Sequence, residues 1–229
     1  MPYIYEMFSS IQGEGAYTGY PAYFVRFAGC NVHCKFCDTA YAQNSMDGEF
    51  VNHDELKKRI FENLERHPCN LVVFTGGEPT LQCYELNMVI NHIYHERPSI
   101  TIQVETSGSV EPTEESWVQE LFELDTAISL SPKKVPFMHP DWLVHASQLK
   151  VLVDIDGPIL PQNFPELDSM IDVFTHHGEW KLPIYFQPVA IGEKEKLTVP
   201  PGHIKKAIDY ARKYNGALGV QLHKYLGVR

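Results

Sequence analysis

Short runs of apolar and β-branched residues alternate with stretches of helical periodicity along most of this 229-residue chain. The clearest run covers residues 71–75 (LVVFT), and a continuous run of this kind is typical of a parallel strand that is covered on both faces. Residues 54–66 instead repeat apolar side chains at i, i+4 and i+8, which indicates a helix with one buried face. The alternation predicts right-handed βαβ units and a mainly parallel sheet.

The same two patterns predict the remaining elements. Further strands are predicted over 23–27, 100–104, 126–130, 149–153, 183–187 and near 219–222, and further helices over about 84–96, 114–124 and 203–214. About six strands are too few for a closed β/α barrel, which needs eight. The predicted fold class is therefore α/β, as a partial, open β/α barrel of about six mainly parallel strands, in a single domain over residues 1–229.

Polar segments that contain glycine or proline follow several of the predicted strands. In folds of parallel strands, functional groups collect at the carboxyl ends of the strands. The segments that follow strands here are residue 30, residues 75–77, residues 105–108, residues 131–133 and residues 187–188. Packing alone does not explain such residues at five strand ends, so we expect a functional site at this edge of the sheet.

The charge balance excludes some classes of partner. The chain has 29 acidic and 19 basic residues, a formal net charge of −10, whereas a protein that binds nucleic acid through phosphates needs a basic surface. No apolar run approaches the length of about 18 residues that a spanning helix needs, and the N-terminus lacks a signal-peptide pattern. We therefore expect a cytoplasmic protein that acts on a small molecule and makes no direct contact with nucleic acid or membrane.

The use of cysteine points to metal rather than to disulfides. Of five cysteines, three lie within the eight residues 30–37, and an odd, clustered set in a cytosolic protein favours metal ligation. Cys69 and Cys83 stand alone, with no second cysteine close to either of them in the sequence. These two are predicted to be small apolar residues that are buried or half-buried.

Cys30, Cys34 and Cys37 have the spacing C-x3-C-x2-C, so that a compact loop can turn all three sulfurs toward one inorganic centre. Thiolates favour zinc or iron–sulfur clusters. Three cysteines on a 4Fe–4S cluster leave one iron open to a substrate or cofactor. The alternative is a structural zinc site with His33 or a remote residue as the fourth ligand. The spacing favours the cluster, with His33 as a surface or second-shell residue, and leaves the zinc site open.

The cysteine triplet, followed by Gly76, Gly77, Glu78 and Pro79 at a predicted strand end, resembles the radical S-adenosylmethionine (SAM) superfamily. The resemblance implies a 4Fe–4S cluster whose open iron binds the amino and carboxylate groups of SAM. It also implies that the glycine-rich strand end approaches the amino group of SAM. Glycine lets a backbone come close to a ligand, and a carboxylate or carbonyl near Glu78 can accept bonds from an ammonium group.

Both ends of the chain resemble one family within that superfamily, the 7-carboxy-7-deazaguanine synthases. The matching segments are residues 6–15 (EMFSSIQGEG), 29–30, 37–39, 105–108, 131–133 and 221–227 (QLHKYLG). The resemblance implies a Mg²⁺-dependent ring contraction of 6-carboxy-5,6,7,8-tetrahydropterin to 7-carboxy-7-deazaguanine, with loss of ammonia, in queuosine or deazapurine biosynthesis. It further implies that SAM is regenerated, that the protein is a homodimer and that a flavodoxin-like protein donates the electron.

The resemblance also assigns roles to individual residues. SAM is assigned to Phe36, Cys37, Asp38, Gly77, Ser131, Pro132, Lys133, Gln187, Pro188, Val189 and Ala190. The pterin is assigned to Gln12, Gly13, Glu14, Arg26, Thr75, His223 and the C-terminal Arg229, and Mg²⁺ to the Thr39 hydroxyl. The planar guanidinium of Arg26 suits a substrate carboxylate. From the residues alone, an ion pair at the sheet edge is an equal alternative for Arg26, and a turn position is an equal alternative for Thr39.

Two other functions are weighed against this one. An activating enzyme that makes a glycyl radical on a partner protein shares the cysteine triplet and the Gly-Gly-Glu-Pro strand end, but we do not expect it to share the two terminal segments. A non-catalytic zinc-binding module belongs to a different class, and zinc without acid-labile sulfide would identify it.

Overall fold

The computed structural model describes residues 2–135, 137–175, 183–192 and 198–228. The strands are β1 (Tyr3–Ile11), β2 (Pro21–Phe27), β3 (Glu49–Phe50), β4 (Leu71–Gly76), β5 (Thr101–Thr106), β6 (Ala127–Leu130), β7 (Gln148–Val153), β8 (Ile184–Pro188) and β9 (Ala217–Leu218). The helices are α1 (His53–Arg66), α2 (Cys83–Glu96), α3 (Val118–Glu123), α4 (Asp141–His145), α5 (Leu167–Thr175), α6 (Pro201–Lys213) and α7 (Leu222–Leu226).

The strands of the described ranges form one sheet in the order β3-β1-β2-β4-β5-β6-β7-β8-β9. β1 pairs antiparallel with β2 and β3, and every neighbouring pair from β2 to β9 is parallel. The two edge strands do not pair with each other within these ranges, so the sheet is open. The predicted α/β class with an open, mainly parallel sheet is confirmed.

The centre of the sheet is buried on both faces. Every residue of β7 is buried, and so are the first five residues of β4. On one face α1 buries Leu56, Ile60 and Leu64, and full burial of such a side chain contributes about 1.5–3 kcal/mol. The helix begins where the Asn52 side chain accepts a hydrogen bond from the Glu55 amide at 2.8 Å, an N-cap that satisfies one otherwise unpaired amide.

The ends of the chain differ most from the prediction. β1 was not predicted, because half-buried polar and apolar residues share this strand without a clear alternation. The last strand lies at Ala217–Leu218 rather than near 219–222. It ends early because the Leu222 amide donates to the Gly13 carbonyl at 2.9 Å, and the chain then enters α7.

The predicted helix over 114–124 is shorter in the structure. The α-helical part is α3, and Trp117 immediately before it has a left-handed backbone with φ of 60°. Thr113 and Ser116 exchange side-chain and backbone hydrogen bonds upstream of it. Such local bonds compete with helical ones, so the first turn does not form as an α-helix.

None of the helices in the described ranges combines the length and the apolar character that crossing a membrane requires.

Candidate active site

A cavity of about 250 Å³ lies at the carboxyl ends of the parallel strands. All five segments that follow predicted strands contribute to it. The sequence-predicted residues that line it are Gln12, Gly13, Glu14, Arg26, Cys30, Cys34, Phe36, Cys37, Asp38, Thr39, Thr75, Gly77, Ser131, Lys133, Gln187, Pro188, Val189, Ala190 and His223. Pro132 is buried without lining the cavity, and Arg229 lies outside the described residues.

The three cysteines belong to a loop over residues 28–43, here called the cysteine loop, which follows β2. Backbone bonds close this loop on itself, since the Gly29 amide donates to Ala42 at 2.8 Å and the Cys30 amide to Gln43 at 2.9 Å. His33 is exposed and contacts the Gln43 side chain at 3.3 Å. The described residues contain no group of three His, Cys, Asp or Glu side chains placed around one metal ion.

The sulfurs of the cysteine loop lie close enough to influence one another. Burial raises the pKa of the Cys34 thiol, the Lys133 ammonium opposes that rise, and the neighbouring Cys37 and Cys30 add to it. All three thiols are half-buried and line the same cavity. Three thiolate donors on one loop fit an iron–sulfur cluster with one iron left for another ligand.

Outside the site, the other two cysteines are packed as expected. Burial raises the pKa of Cys83 to about 12, and its thiol contacts the Asn87 side chain and the Trp117 carbonyl. Cys69 is half-buried, and its thiol contacts the Leu71 carbonyl. Both behave as small structural residues, as predicted.

The glycine pair at the end of β4 is needed because this strand end packs against backbone. A Cβ atom on Gly76 would lie 2.3 Å from the Phe27 carbonyl oxygen, and one on Gly77 would lie 2.2 Å from the Gly29 carbonyl oxygen. Gly76 also has φ of +148°, which side chains rarely tolerate. The Glu78 amide adds a bond to the Gly29 carbonyl at 2.8 Å. The two glycines thus bring β4 against the cysteine loop.

The Glu78 carboxylate is 1% exposed and accepts several hydrogen bonds from the protein. One oxygen accepts from the Thr80 hydroxyl and the Thr106 hydroxyl, each at 2.7 Å. The other accepts from the Ser107 amide at 2.8 Å and from the Ser107 hydroxyl. These donors satisfy the buried carboxylate. Glu78, which comes shortly after β4, is thereby bonded to Thr106 and Ser107 at the end of β5.

A second set of polar residues, here called the polar wall, lies at the same cavity, and all of its members except Gln103 line it. It consists of Gln12, Glu14, Gln103, Glu105 and Lys150. The Gln12 amide donates to Gln103 at 2.8 Å and to Glu105 at 3.1 Å, and its oxygen accepts from the Glu14 amide at 3.1 Å. The Thr75 hydroxyl also donates to Glu105 at 2.9 Å. These bonds fix the direction of each polar side chain at the cavity.

Glu14 is ionised although it is largely buried, with 13% of its side chain exposed. Its carboxylate pairs with the Lys150 ammonium, and its other oxygen accepts from the Gln221 amide at 2.7 Å. Burial alone would raise its pKa, but Lys150 and Gln221 lower the pKa of Glu14 to about 2. The polar wall therefore presents a fixed negative charge to the cavity.

Gly13 allows the C-terminal helix to approach the polar wall. A Cβ atom at this position would lie 1.9 Å from Nδ1 of His223, so only glycine leaves room for the ring. Burial lowers the pKa of His223, and Glu14 opposes that shift. The ring is therefore held beside the site that Glu14 faces.

Arg26 lies on β2 and faces the same cavity. Its Nε donates to Glu6 at 2.9 Å on the neighbouring β1, and its guanidinium carbon lies 5.7 Å from the Phe8 ring centre and 6.0 Å from that of Tyr41. The ion pair weighed as an alternative is therefore present. Arg26 also lines the cavity, so the ion pair and a substrate role of Arg26 are compatible.

Thr39 directly precedes the short turn over residues 40–42. Its hydroxyl lies 3.5 Å from the sulfur of Cys37, and its side chain makes no capping bond to the turn. The hydroxyl lies at the cavity rather than in the turn's own hydrogen bonds.

Beyond the cysteines, the ends of β6 and β8 line the cavity. Lys133 donates to the Ser131 carbonyl at 2.8 Å and to its hydroxyl at 2.6 Å, and burial lowers the pKa of Lys133 to about 8. Phe36 packs against a small apolar cluster that includes Val189. The buried Oε1 of Gln187 has no hydrogen-bond partner among the described residues. A buried acceptor without a partner costs about 1–3 kcal/mol, which a ligand donor can recover.

The site contains residues to which sequence reasoning assigned no ligand, namely Glu105, Lys150, Gln221 and Lys224. The burial of Lys150 could have been inferred from the sequence, because it is the single charged residue in the buried strand QLKVLV. Charged residues are rarely buried without a partner. The identity of that partner, Glu14, depends on a contact across 136 positions of the chain and could not be read from the sequence.

Comparisons with known proteins agree with this geometry. A family described as "4Fe-4S single cluster domain" matches residues 11–135. A 7-carboxy-7-deazaguanine synthase of Buchnera aphidicola is 30% identical over 99% of this chain and 98% of its own length. One from Hyperthermus butylicus is 37% identical over 62% of this chain and 59% of its own length. The crystal structure of QueE from Escherichia coli is similar with a TM-score of 0.69 at 24% identity, covering 97% of this chain and 94% of that one.

Proposed function

Because the chain belongs to the family of 7-carboxy-7-deazaguanine synthases, radical SAM enzymes with a 4Fe–4S cluster domain, we propose the full reaction for it. The reaction is the Mg²⁺-dependent ring contraction of 6-carboxy-5,6,7,8-tetrahydropterin to 7-carboxy-7-deazaguanine, with loss of ammonia. One observation carries the proposal: a single cavity joins the three cysteines to Glu14 and His223 of the two terminal segments.

Cys30, Cys34 and Cys37 would hold the cluster, because they supply three thiolates to one cavity. When bound, the cluster and SAM would supply the radical chemistry of the reaction, which begins with loss of a hydrogen atom from C6 of the pterin. The unpartnered Oε1 of Gln187 would accept a hydrogen bond from the adenine amino group, and the apolar contact of Phe36 with Val189 would line the face of that ring.

The polar wall would bind the pterin. The aminopyrimidinone edge of a pterin carries N–H donors, and the Glu14 carboxylate is an ionised acceptor that Lys150 and Gln221 hold in one direction. Arg26, which lines the cavity, would bind the substrate carboxylate through its guanidinium group. Residues that bind both ends of the substrate would hold C6 at a fixed place, and such alignment is a large part of catalysis.

Thr39 would give its hydroxyl to Mg²⁺, a hard ion that takes oxygen ligands from few protein groups and retains waters or substrate oxygens. Its support is that the hydroxyl faces the cavity beside Cys37. We expect Thr39→Ala to weaken the stimulation of activity by Mg²⁺ by about tenfold, whereas Thr113→Ala, on an exposed turn, retains the wild-type response. A titration of initial rate against Mg²⁺ measures this, and an unchanged response in Thr39→Ala contradicts the assignment.

The two alternative functions receive no support from the comparisons. A non-catalytic zinc module and an activating enzyme for a glycyl radical both share the cysteine triplet, but the family that spans the whole chain is that of the synthases. The homodimer, the flavodoxin-like electron donor and the cytoplasmic location stay predictions.

The experiment that tests the proposal is anaerobic reconstitution of the cluster, followed by incubation with the carboxytetrahydropterin, SAM, Mg²⁺ and a chemical reductant. We expect 7-carboxy-7-deazaguanine to form while SAM is not consumed in proportion. If the protein with an intact cluster cleaves SAM but forms none of this product, the substrate assignment is wrong.

A further inference from the structure

A hydrogen-bonded cluster joins the C-terminal tail (residues 219–228) to both sides of the cavity. Nε2 of Gln221 lies 2.7 Å from Oε1 of Glu14 and 3.1 Å from Oδ2 of Asp38. The Lys224 ammonium donates to the same Asp38 oxygen at 2.6 Å and to Oε1 of Gln221 at 2.7 Å. A side-chain amide has two N–H donors, so one nitrogen of Gln221 can serve both carboxylates at once.

The two carboxylates that share this amide belong to different parts of the site. Glu14 is part of the polar wall, which faces the proposed pterin. Asp38 directly follows Cys37, the last cysteine of the cysteine loop. Gln221 is separated from Glu14 by 207 positions and from Asp38 by 183, so the tail brings two distant segments into one hydrogen-bonded unit.

Lys224 fixes the orientation of the Gln221 amide. With its oxygen accepting from an ammonium, the amide nitrogen must point toward the carboxylates. The tail backbone is fixed as well, because the Leu222 amide donates to the Gly13 carbonyl at 2.9 Å, one residue before Glu14. Gln221 therefore has one orientation in which all its polar atoms are satisfied.

Glu14 and Asp38 each have an ion pair that does not involve Gln221, so Gln221 is not needed to neutralise either carboxylate. Glu14 keeps its ion pair with Lys150 whether or not Gln221 is present. Asp38 likewise keeps its ion pair with Lys224. Loss of the Gln221 amide therefore leaves no buried charge without a cation, and what changes is the distance and direction between the two carboxylates.

We propose that Gln221, oriented by Lys224, is a positioning residue that sets the polar wall in register with the cysteine loop, so that SAM cleavage is coupled to turnover of the bound substrate. This inference rests on the proposed function. A radical formed at the cofactor must meet its target hydrogen atom in a near-attack geometry, and a misplacement of about 1 Å can cost about 100-fold in rate. A residue bound to both sides can control that placement through Glu14 and Asp38.

The test uses the reconstituted enzyme and measures two products in the same reaction, 7-carboxy-7-deazaguanine and free 5′-deoxyadenosine. In Gln221→Leu we expect the deazaguanine rate to fall about tenfold and the ratio of 5′-deoxyadenosine to deazaguanine to rise about fivefold or more. The matched control is Tyr225→Ala in α7, the helix that directly follows Gln221, because this side chain is 69% exposed. It should keep the wild-type ratio.

Lys224 provides a second, independent variant. Lys224→Met should raise the ratio about threefold, whereas Lys224→Arg retains a cationic donor for Asp38 and Gln221 and should stay within about twofold of the wild-type ratio. Iron and sulfide content and the midpoint of thermal unfolding are measured for each variant. A change in ratio at full cluster content is an effect that loss of folded protein alone does not produce.

The outcomes separate the two proposals. If the wild-type enzyme forms deazaguanine and the ratio in Gln221→Leu is unchanged, or both products fall together, the positioning role is wrong and the proposed function stands. If the wild-type enzyme with a full cluster forms no deazaguanine, both proposals are wrong.

Discussion

The cysteine loop and the polar wall both contribute residues to one cavity, yet different interactions hold them in place. Backbone hydrogen bonds hold the cysteine loop, as in the contacts of Gly29 with Ala42 and with Glu78. Side chains hold the polar wall, where Lys150 and Gln221 fix Glu14 from strands and helices far away in sequence. A backbone frame tolerates most changes of side chain, whereas a network of buried charges depends on each member.

This difference means that substitutions on the two sides should fail in different ways. On the cysteine side, a change should affect iron content and the start of the reaction. On the polar wall, a change should affect folding stability, substrate affinity and pH dependence, while the thiols remain in place.

The largest expected effect is that of Cys30→Ala. With only two thiolates left in the cysteine loop, we expect turnover to fall below detection, because the cluster loses one of three protein ligands. Cys69 is half-buried, and its thiol contacts the Leu71 carbonyl. Cys69→Ala should therefore retain its iron and most of its activity. Iron content and product formation are measured for both variants. Substantial turnover by Cys30→Ala would refute the cluster assignment.

Lys150→Met should have the largest effect on stability. It leaves the Glu14 carboxylate buried without its cation, and removal of one partner of a buried ion pair costs about 3–5 kcal/mol. The double variant Lys150→Met/Glu14→Gln should recover most of the loss, since no unpaired charge remains. Lys224→Met, at a more exposed pair, should cost about 1 kcal/mol or less. The free energy of unfolding of each variant is measured by urea denaturation. Equal losses of this free energy in the two single variants would contradict the prediction that the more buried ion pair contributes more.

The same ion pair predicts how stability depends on pH. The pKa of Glu14 is lowered from 4.5 to about 2 by Lys150 against the effect of burial, so the unfolded chain binds the proton more readily than the folded one. The stabilisation is present above about pH 4.5 and is lost as the pH falls toward 2, and it amounts to about 3 kcal/mol. The stability difference between wild type and Glu14→Gln should therefore shrink between about pH 6 and pH 3. A constant difference over this range would show that Glu14 is not held ionised.

Two glycine substitutions give the smallest but most direct comparison of the two sides. In Gly77→Ala the new methyl group meets backbone, the Gly29 carbonyl at 2.2 Å, so we expect a loss of about 1–3 kcal/mol and of bound iron. In Gly13→Ala it meets Nδ1 of His223 at 1.9 Å, and this ring can turn away. Gly13→Ala should therefore keep its iron and raise the KM for the pterin. Equal iron loss in both variants would remove the distinction between the two sides.

Much of the fold was predictable because it follows from local pattern. The buried run of β4 and the apolar face of α1 are visible as periodicity in single segments. β1 was missed because its half-buried residues show no clear alternation, and the end of β9 was misplaced because a bond from Leu222 to Gly13 ends the strand. Long-range contacts of this kind leave no local pattern.

The cysteine spacing, the polar strand ends and the α/β alternation can be read from the chain alone, because each of these is a property of neighbouring residues. Which distant residues complete the site is known only from the folded protein. In the folded protein Lys150 pairs with Glu14, and Gln221 lies between Glu14 and Asp38. The Glu78 carboxylate accepts hydrogen bonds from hydroxyl and amide donors. The physical reason is that a buried charge must find its partner in space, and the partner's position along the chain is set by the packing of the sheet.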